Sequence, residues 1–191
     1  MRSPVAHLLA DLSDALRRLD VPWYLFGARA AILHGVARLT ADVDVTVRLP
    51  AGTSAEMLAT GLERRGFVRR ATDPDFMART RVAPFVHTAT SLPLDVVLAG
   101  PGLEDLFLSR AAHVDVEGVQ VPVASAEDIV VMKVLAGRAK DVDDVMAIAA
   151  AQERSLDLDY VRATLGTLER AIGQSDLLPA FEAAVTRARR G

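Results

Sequence analysis

Apolar residues at Val5, Leu8, Leu9, Leu12, Leu16 and Leu19 recur at the spacing of one helix face, and Ser3-Pro4 supplies a cap and a first-turn proline, so a helix is expected to about Leu19. Val21 to Phe26 is a short apolar run with Pro22 at its start and Gly27 at its end, the pattern of a strand. Ala28 to Val36 reads as helix, and the segment through Val47 as a second strand. Thr53-Ser54-Ala55-Glu56 has the form of a capping box opening a helix to about Arg65, which Gly66 stops. Phe67 to Arg70 predicts a strand, and Thr72 to Phe76, with Pro74, a turn. Arg81–Thr88 and Leu92–Leu98 predict paired strands joined by Thr88-Ala89-Thr90-Ser91. A short helix over Glu104–Ala112 follows, then a hairpin of His113–Glu117 and Val119–Val123 about Glu117-Gly118. Beyond Ser125, which caps the next element, the pattern is helical to the end: about Ala126–Gly137, Ala139–Gln152, Leu158–Ile172 and Asp176–Arg189. The expected fold is α/β, a mixed-sheet core over residues 1–124 followed by a C-terminal helical bundle over 125–191. No linker is long enough to separate independent domains, so these are expected as subdomains packed together.

Composition narrows the functions. Of 191 residues, 51% are hydrophobic, which excludes a disordered chain, and a net charge of −3 gives no global attraction to nucleic acid or anionic membrane. The absence of cysteine excludes disulfides, thiolate catalysis and a cysteine zinc site. No apolar run spans a bilayer, and Asp11 and Asp14 interrupt any leader-like segment, so a cytoplasmic protein without a membrane partner is expected. Of 22 basic residues, only Lys133 and Lys140 are lysine. Arginine is concentrated locally: Arg64, Arg65, Arg69, Arg70, Arg79 and Arg81 form a strip in which a basic patch could lie.

Chemistry concentrates between Phe26 and Val47. A strand that stops at Gly27 and turns directly into a helix leaves backbone N–H groups able to meet an anion such as phosphate. Asp42 and Asp44 are separated by one residue; on a strand they share a face at about 6.6 Å. Two carboxylates so placed repel unless a cation lies between them, and a divalent metal answers that need, although Asp-x-Asp also occurs on solvent-facing strands. Asp95 is a lone carboxylate in the apolar run Pro-Leu-Asp-Val-Val-Leu, costly to bury without a partner and otherwise a water-facing residue at a sheet edge. His34, with no triad partner in reach by spacing, reads as packing or capping.

Taken together, the Gly27-Ala28 turn, the helix and Arg38-Leu39-Thr40-Ala41-Asp42-Val43-Asp44 resemble the signature of the polymerase-beta-type nucleotidyltransferase superfamily, in the form seen in AbiEii-like toxins and antibiotic nucleotidyltransferases. Gly27-Ala28 departs from the Gly-Gly or Gly-Ser of that superfamily, removing a serine contact to phosphate while leaving the backbone groups. Lys133 and the segment Lys140-Asp141-Val142-Asp143-Asp144 resemble the lysine and Lys-Asp-x-x-Asp of AbiEii-like proteins. Lys140 and Asp144 also have the spacing of an ordinary surface helix pair.

The resemblance implies a nucleotidyltransferase core in which Asp42, Asp44 and Asp95 hold two Mg²⁺ ions, about 3.5 to 4 Å apart in such sites. It places Gly27, Ala28, Arg38, Thr40, Lys133, Lys140 and Asp141 around an NTP, with Lys133 also catalytic, and lets Asp95 take the acceptor's proton. It further implies an RNA acceptor, a tRNA 3′ end, and a cognate antitoxin protein; the arginine strip agrees with RNA. An antibiotic hydroxyl, suited by acid at Asp141, Asp143 and Asp144, and a non-catalytic nucleotide- or partner-binding module are the alternatives. Phosphate on Thr40, two residues before Asp42, would compete for the metal.

Overall fold

The computed structural model describes residues 2–71, 73 and 76–190. Thr72, Pro74 and Asp75 of the expected turn lie outside the described residues. The elements follow the order α1 (Pro4–Arg18), β1 (Trp23–Phe26), α2 (Gly27–Leu33), β2 (Val43–Val47), α3 (Ala55–Glu63), β3 (Phe67–Arg69), α4 (Phe76–Thr80), β4 (Val82–His87), β5 (Leu92–Leu98), α5 (Leu103–Arg110), β6 (Ala112–Val116) and β7 (Val119–Val123). Four helices follow: α6 (Ala126–Ala136), α7 (Ala139–Ala151), α8 (Leu158–Ile172) and α9 (Leu177–Ala188). By its contacts the chain divides into two units, Met1–Arg29 with Thr40–Ala124, and Ala30–Leu39 with Ser125–Gly191.

The first unit is built on a seven-stranded mixed sheet of order β3-β4-β5-β2-β1-β7-β6. β2 pairs parallel with β5 and β1 parallel with β7, while the remaining pairs are antiparallel. Alternation decides the faces. Val43, Val45 and Val47 of β2 and Leu94 and Val96 of β5 are fully buried, and Leu25, Ala83 and Phe85 join them on one face. Helix α1 contacts β5, β7 and α3, and its Leu8, Leu9, Leu12 and Leu16 stripe is buried, as the spacing predicts. The intervening positions, Phe26, Asp44, Asp95 and Pro84, therefore share the opposite face.

Local chemistry sets the boundaries. Ser3 caps α1 by accepting the Ala6 N–H at 3.3 Å. Helix α3 differs from the capping box by one residue: Ser54, not Thr53, is the cap and accepts the Met57 N–H at 3.1 Å. The β6–β7 turn takes positive φ at Glu117 (52°) and Gly118 (81°), the two-residue geometry that suits the twist of a hairpin. Helix α4, absent from the sequence reading, is a five-residue segment without a buried residue, so no apolar periodicity could announce it. Strand β3 stops at Arg69 because its partner beyond that point is Pro84, which accepts the Arg70 N–H at 2.8 Å but has no N–H to return.

In the second unit α6 packs against α7, α8 and α9, and α7 and α8 each against α9. Its core holds Ile129, Val130, Ile148, Val161, Leu165 and Phe181. Gly137 and Gly173 end α6 and α8 in the left-handed conformation. Helix α2 ends at Leu33 rather than Val36. The chain turns at Gly35, where φ is 107° and an added Cβ would lie 2.4 Å from the Ala151 Cβ. No described helix is long and apolar enough to cross a membrane.

Candidate active site

Sheet register brings the carboxylates of β2 and β5 together. Asp44 pairs with Asp95 across the parallel ladder, so their side chains stand side by side on the face opposite α1. Phe26, the last residue of β1, pairs with Asp44 on its other side, which carries Gly27 to the Asp44 carboxylate. A Cβ added at Gly27 would lie 2.2 Å from Asp44 Oδ2 and 2.9 Å from its Cγ, and φ there is +68°. Glycine is thus required twice, by conformation and by the carboxylate's approach. Ala28 follows, and α2 has only seven residues.

Asp42 is the residue immediately before β2 and is exposed. Its N–H donates to Thr40 Oγ1 at 3.2 Å, and the Thr40 carbonyl accepts from Arg29 Nη2. Burial pulls the Arg29 guanidinium down from its usual value while the charge of Asp42 pushes it up, so Asp42 has a cation for a neighbour. Arg29 Nε is buried without a hydrogen-bond partner. Asp95 in turn is ion-paired to Arg70. That pairing was not foreseen. Arg70 stood in the sequence as one of a run of arginines, and its reach to Asp95 follows from register: Arg70, Pro84, Asp95 and Asp44 form one row across β3's end, β4, β5 and β2. A surface cavity of about 510 Å³ opens beside Asp95, lined also by Arg70, Asp73, Phe76, Val82 and Pro84.

The divalent metal implied by the resemblance would have to be held by these side chains. Asp44 and Asp95 fit as hard oxygen donors: they are register neighbours and part-exposed. In this conformation, however, no three His, Asp or Glu side chains among the described residues stand together as a metal cluster. Arg70 draws Asp95 away, and Asp42 lies outside the strand.

The remaining expected residues belong to the second unit. Lys133 is 6% exposed, with Nζ 3.0 Å from Asp141 Oδ1 and 2.6 Å from Asp144 Oδ2. Arg38 Nη1 lies 2.9 Å from Asp144 Oδ2, and Arg138 Nε 2.5 Å from Asp141 Oδ2. Burial pushes the Asp141 carboxyl up, but hydrogen bonds from Arg138 and Lys133, with their charges, hold it below the usual carboxylate value. The resemblance placed Asp141 with the nucleotide groups, and spacing left Lys140 and Asp144 open as an ordinary surface helix pair. Asp141 is instead fully buried between protein cations, and Asp144 meets Lys133 and Arg38 because Lys133 reaches from α6 into the α7 face. Lys140 is exposed.

The arginine strip is likewise not a free basic patch. Arg65 pairs with Asp14 (2.7 Å), Arg69 with Glu56 (2.7 Å) and Glu63 (2.8 Å), and Arg79 with Asp73 (2.6 Å). Arg81 Nη2 donates to the Leu98 carbonyl at 2.6 Å, leaving Arg64 exposed.

Solved structures place this architecture. An antigenic nucleotidyltransferase-like protein from Paracoccidioides brasiliensis superposes with a TM-score of 0.58 at 17% identity, covering 92% of this chain and 91% of that one. The antibiotic-resistance factor ANT(2'')-Ia gives 0.59 at 14% identity over 88% and 95%. JHP933 from Helicobacter pylori gives 0.51 at 17% over 99% and 92%. The mixed sheet with its following helices is a nucleotidyltransferase fold. The chain belongs to the DUF6036 family, nucleotidyltransferases of unknown function, whose model matches residues 5–177. No curated protein matches its sequence.

Proposed function

We propose that the protein transfers a nucleotide from a nucleoside triphosphate to a hydroxyl of a small acceptor, with Asp44 and Asp95 at the centre of the site. The observation that supports this is the register pairing of these two carboxylates with Asp44 set against Gly27. The resemblance puts the backbone N–H groups of the Gly27-Ala28 turn at the triphosphate, and Ala28 adds only a methyl group there. Asp44 and Asp95, joined by Asp42, would hold Mg²⁺, which when bound supplies charge neutralisation to the triphosphate. Asp95 borders the cavity of about 510 Å³, a position from which a carboxylate can take the proton of an acceptor hydroxyl.

The open depression beside Asp95 has room for a small acceptor, and an antibiotic hydroxyl is one such group. Both charge-based arguments from the sequence lose most of their groups to ion pairs: Arg65, Arg69, Arg70 and Arg79 of the strip, and Asp141 and Asp144 of the acids. A tRNA acceptor, a toxin role and an antitoxin partner rest on the resemblance alone. The test is incubation of wild type and Asp44→Asn with each α-labelled NTP and Mg²⁺, offering aminoglycosides, lincosamides and total tRNA in parallel. Label on a small molecule that disappears with Asp44→Asn is the expected result. Label on tRNA would replace the acceptor, and equal label with Asp44→Asn would remove the site.

A further inference from the structure

The geometry points to Arg70 as the internal counter-cation of the carboxylate site, occupying Asp95 in the metal-free chain and setting how tightly a divalent cation is held. The inference rests on the reading of Asp44 and Asp95 as metal ligands. Its basis is the row Arg70, Pro84, Asp95, Asp44. Strands in a sheet lie about 4.8 Å apart, so Arg70 and Asp95 are separated by two spacings, a span an extended arginine covers. Pro84 between them contributes a short ring in place of a long side chain, and the guanidinium passes over it to the carboxylate.

Electrostatics make this arrangement necessary. Two carboxylates held in register repel each other, and a site of that kind is most costly when no metal is present. Arg70 relieves the repulsion at Asp95, while Arg29 brings positive charge to Asp42. The same guanidinium reaches Asp95 across Pro84, from the side away from Asp44, and holds the carboxylate there, in keeping with the lack of a preformed three-carboxylate cluster among the described residues. Metal loading therefore requires Arg70 to leave. Both side chains are about two-fifths exposed (41% and 38%), so the pair is weak enough to exchange. Arg70 and Asp95 both line the cavity, so a released Arg70 would remain within reach of an acceptor there. Arg70 is in this sense a positioning residue, acting through Asp95.

The experiment is Mn²⁺ binding to the nucleotide-free protein, followed by calorimetry and by the electron paramagnetic resonance signal of free Mn²⁺. Wild type, Arg70→Gln, Arg70→Lys and Asp44→Asn are compared, with thermal melts to establish that each is folded. Arg70→Gln should tighten Mn²⁺ binding by roughly two- to fivefold, the strength of a part-exposed ion pair. Arg70→Lys should stay near wild type and Asp44→Asn should bind least. Arg70→Ala provides a second neutral variant and should follow Arg70→Gln. Binding that depends on Asp44 but is unchanged or weakened by both neutral variants overturns the role of Arg70 while leaving the metal site standing. No Mn²⁺ binding in any variant overturns both.

Discussion

At the candidate site Asp44 lies against Gly27, and the effect of that approach can be separated experimentally from ordinary glycine effects. Gly27→Ala meets two penalties: a positive φ, at a cost of about 1 to 2 kcal/mol, and a methyl group 2.2 Å from Asp44 Oδ2. Gly52 has φ +84° with nothing within 4 Å of an added Cβ, so Gly52→Ala carries the first penalty alone. We expect both substitutions to lower the melting temperature, but nucleotidyl transfer to fall only with Gly27→Ala. Equal activity of the two would show that the contact with Asp44 is not used. Asp44→Asn, which keeps the shape and removes the charge, should melt near wild type and lose on the order of 100-fold in turnover, about 3 kcal/mol of transition-state stabilisation. The sequence revealed Asp44 and Gly27 because a glycine turn and an Asp-x-Asp are local patterns. Arg70 was hidden, since nothing local distinguishes it from Arg69, whose partners are Glu56 and Glu63. His87 was also missed: buried on Phe67, it hydrogen-bonds Thr90 Oγ1 (2.9 Å) and Asp11 Oδ2 (3.0 Å), partners supplied by a turn and a helix 76 residues away.

Between elements, the ion-paired cluster of α6 and α7 is the feature most exposed to test. Lys133 on α6 meets Asp141 and Asp144 on the next helix, one turn apart, and Arg38 closes the far side of Asp144. Removing one partner of a buried pair strands the other, so Lys133→Met should destabilise by about 3 kcal/mol, measurable as a lower urea midpoint with an unchanged slope. A change of a few tenths would show that Arg38 and Arg138 suffice. The cluster also has an acid signature. Because the folded Asp141 carboxyl sits below its unfolded value, ordinarily about 3.9, its contribution is complete above that pH and is lost as pH falls through the folded value. Acid unfolding of the wild type should therefore steepen below about pH 4, and Asp141→Asn should flatten it. Helix and strand order was largely legible because each element carried its own stripe, cap or turn. The ionic pairing was not. Lys140 and Asp144 have helix-neighbour spacing, but the burial of Asp144 turns it toward α6 and away from Lys140, and burial is decided by packing that no single segment encodes.

On the scale of the whole molecule, charge is what separates the possible acceptors. A net charge of −3 leaves binding of a polyanion to local patches, and the principal local patch of the sequence is neutralised where it stands: Arg65, Arg69, Arg70 and Arg79 each have a carboxylate partner. Apart from Arg64 and Arg81, each arginine of the strip would have to leave a carboxylate to meet an RNA phosphate, so few counterions would be released and little affinity gained. Fluorescence anisotropy with labelled tRNA across 50 to 200 mM salt, taken as a test range, is expected to show binding no tighter than about 1 μM, with a shallow slope of roughly one or two contacts. A submicromolar complex whose affinity falls steeply with salt would mean that the arginines exchange their carboxylates for phosphates. In that case Glu56→Gln, which frees Arg69 from a partner 2.7 Å away, should tighten it further, and the acceptor would be RNA.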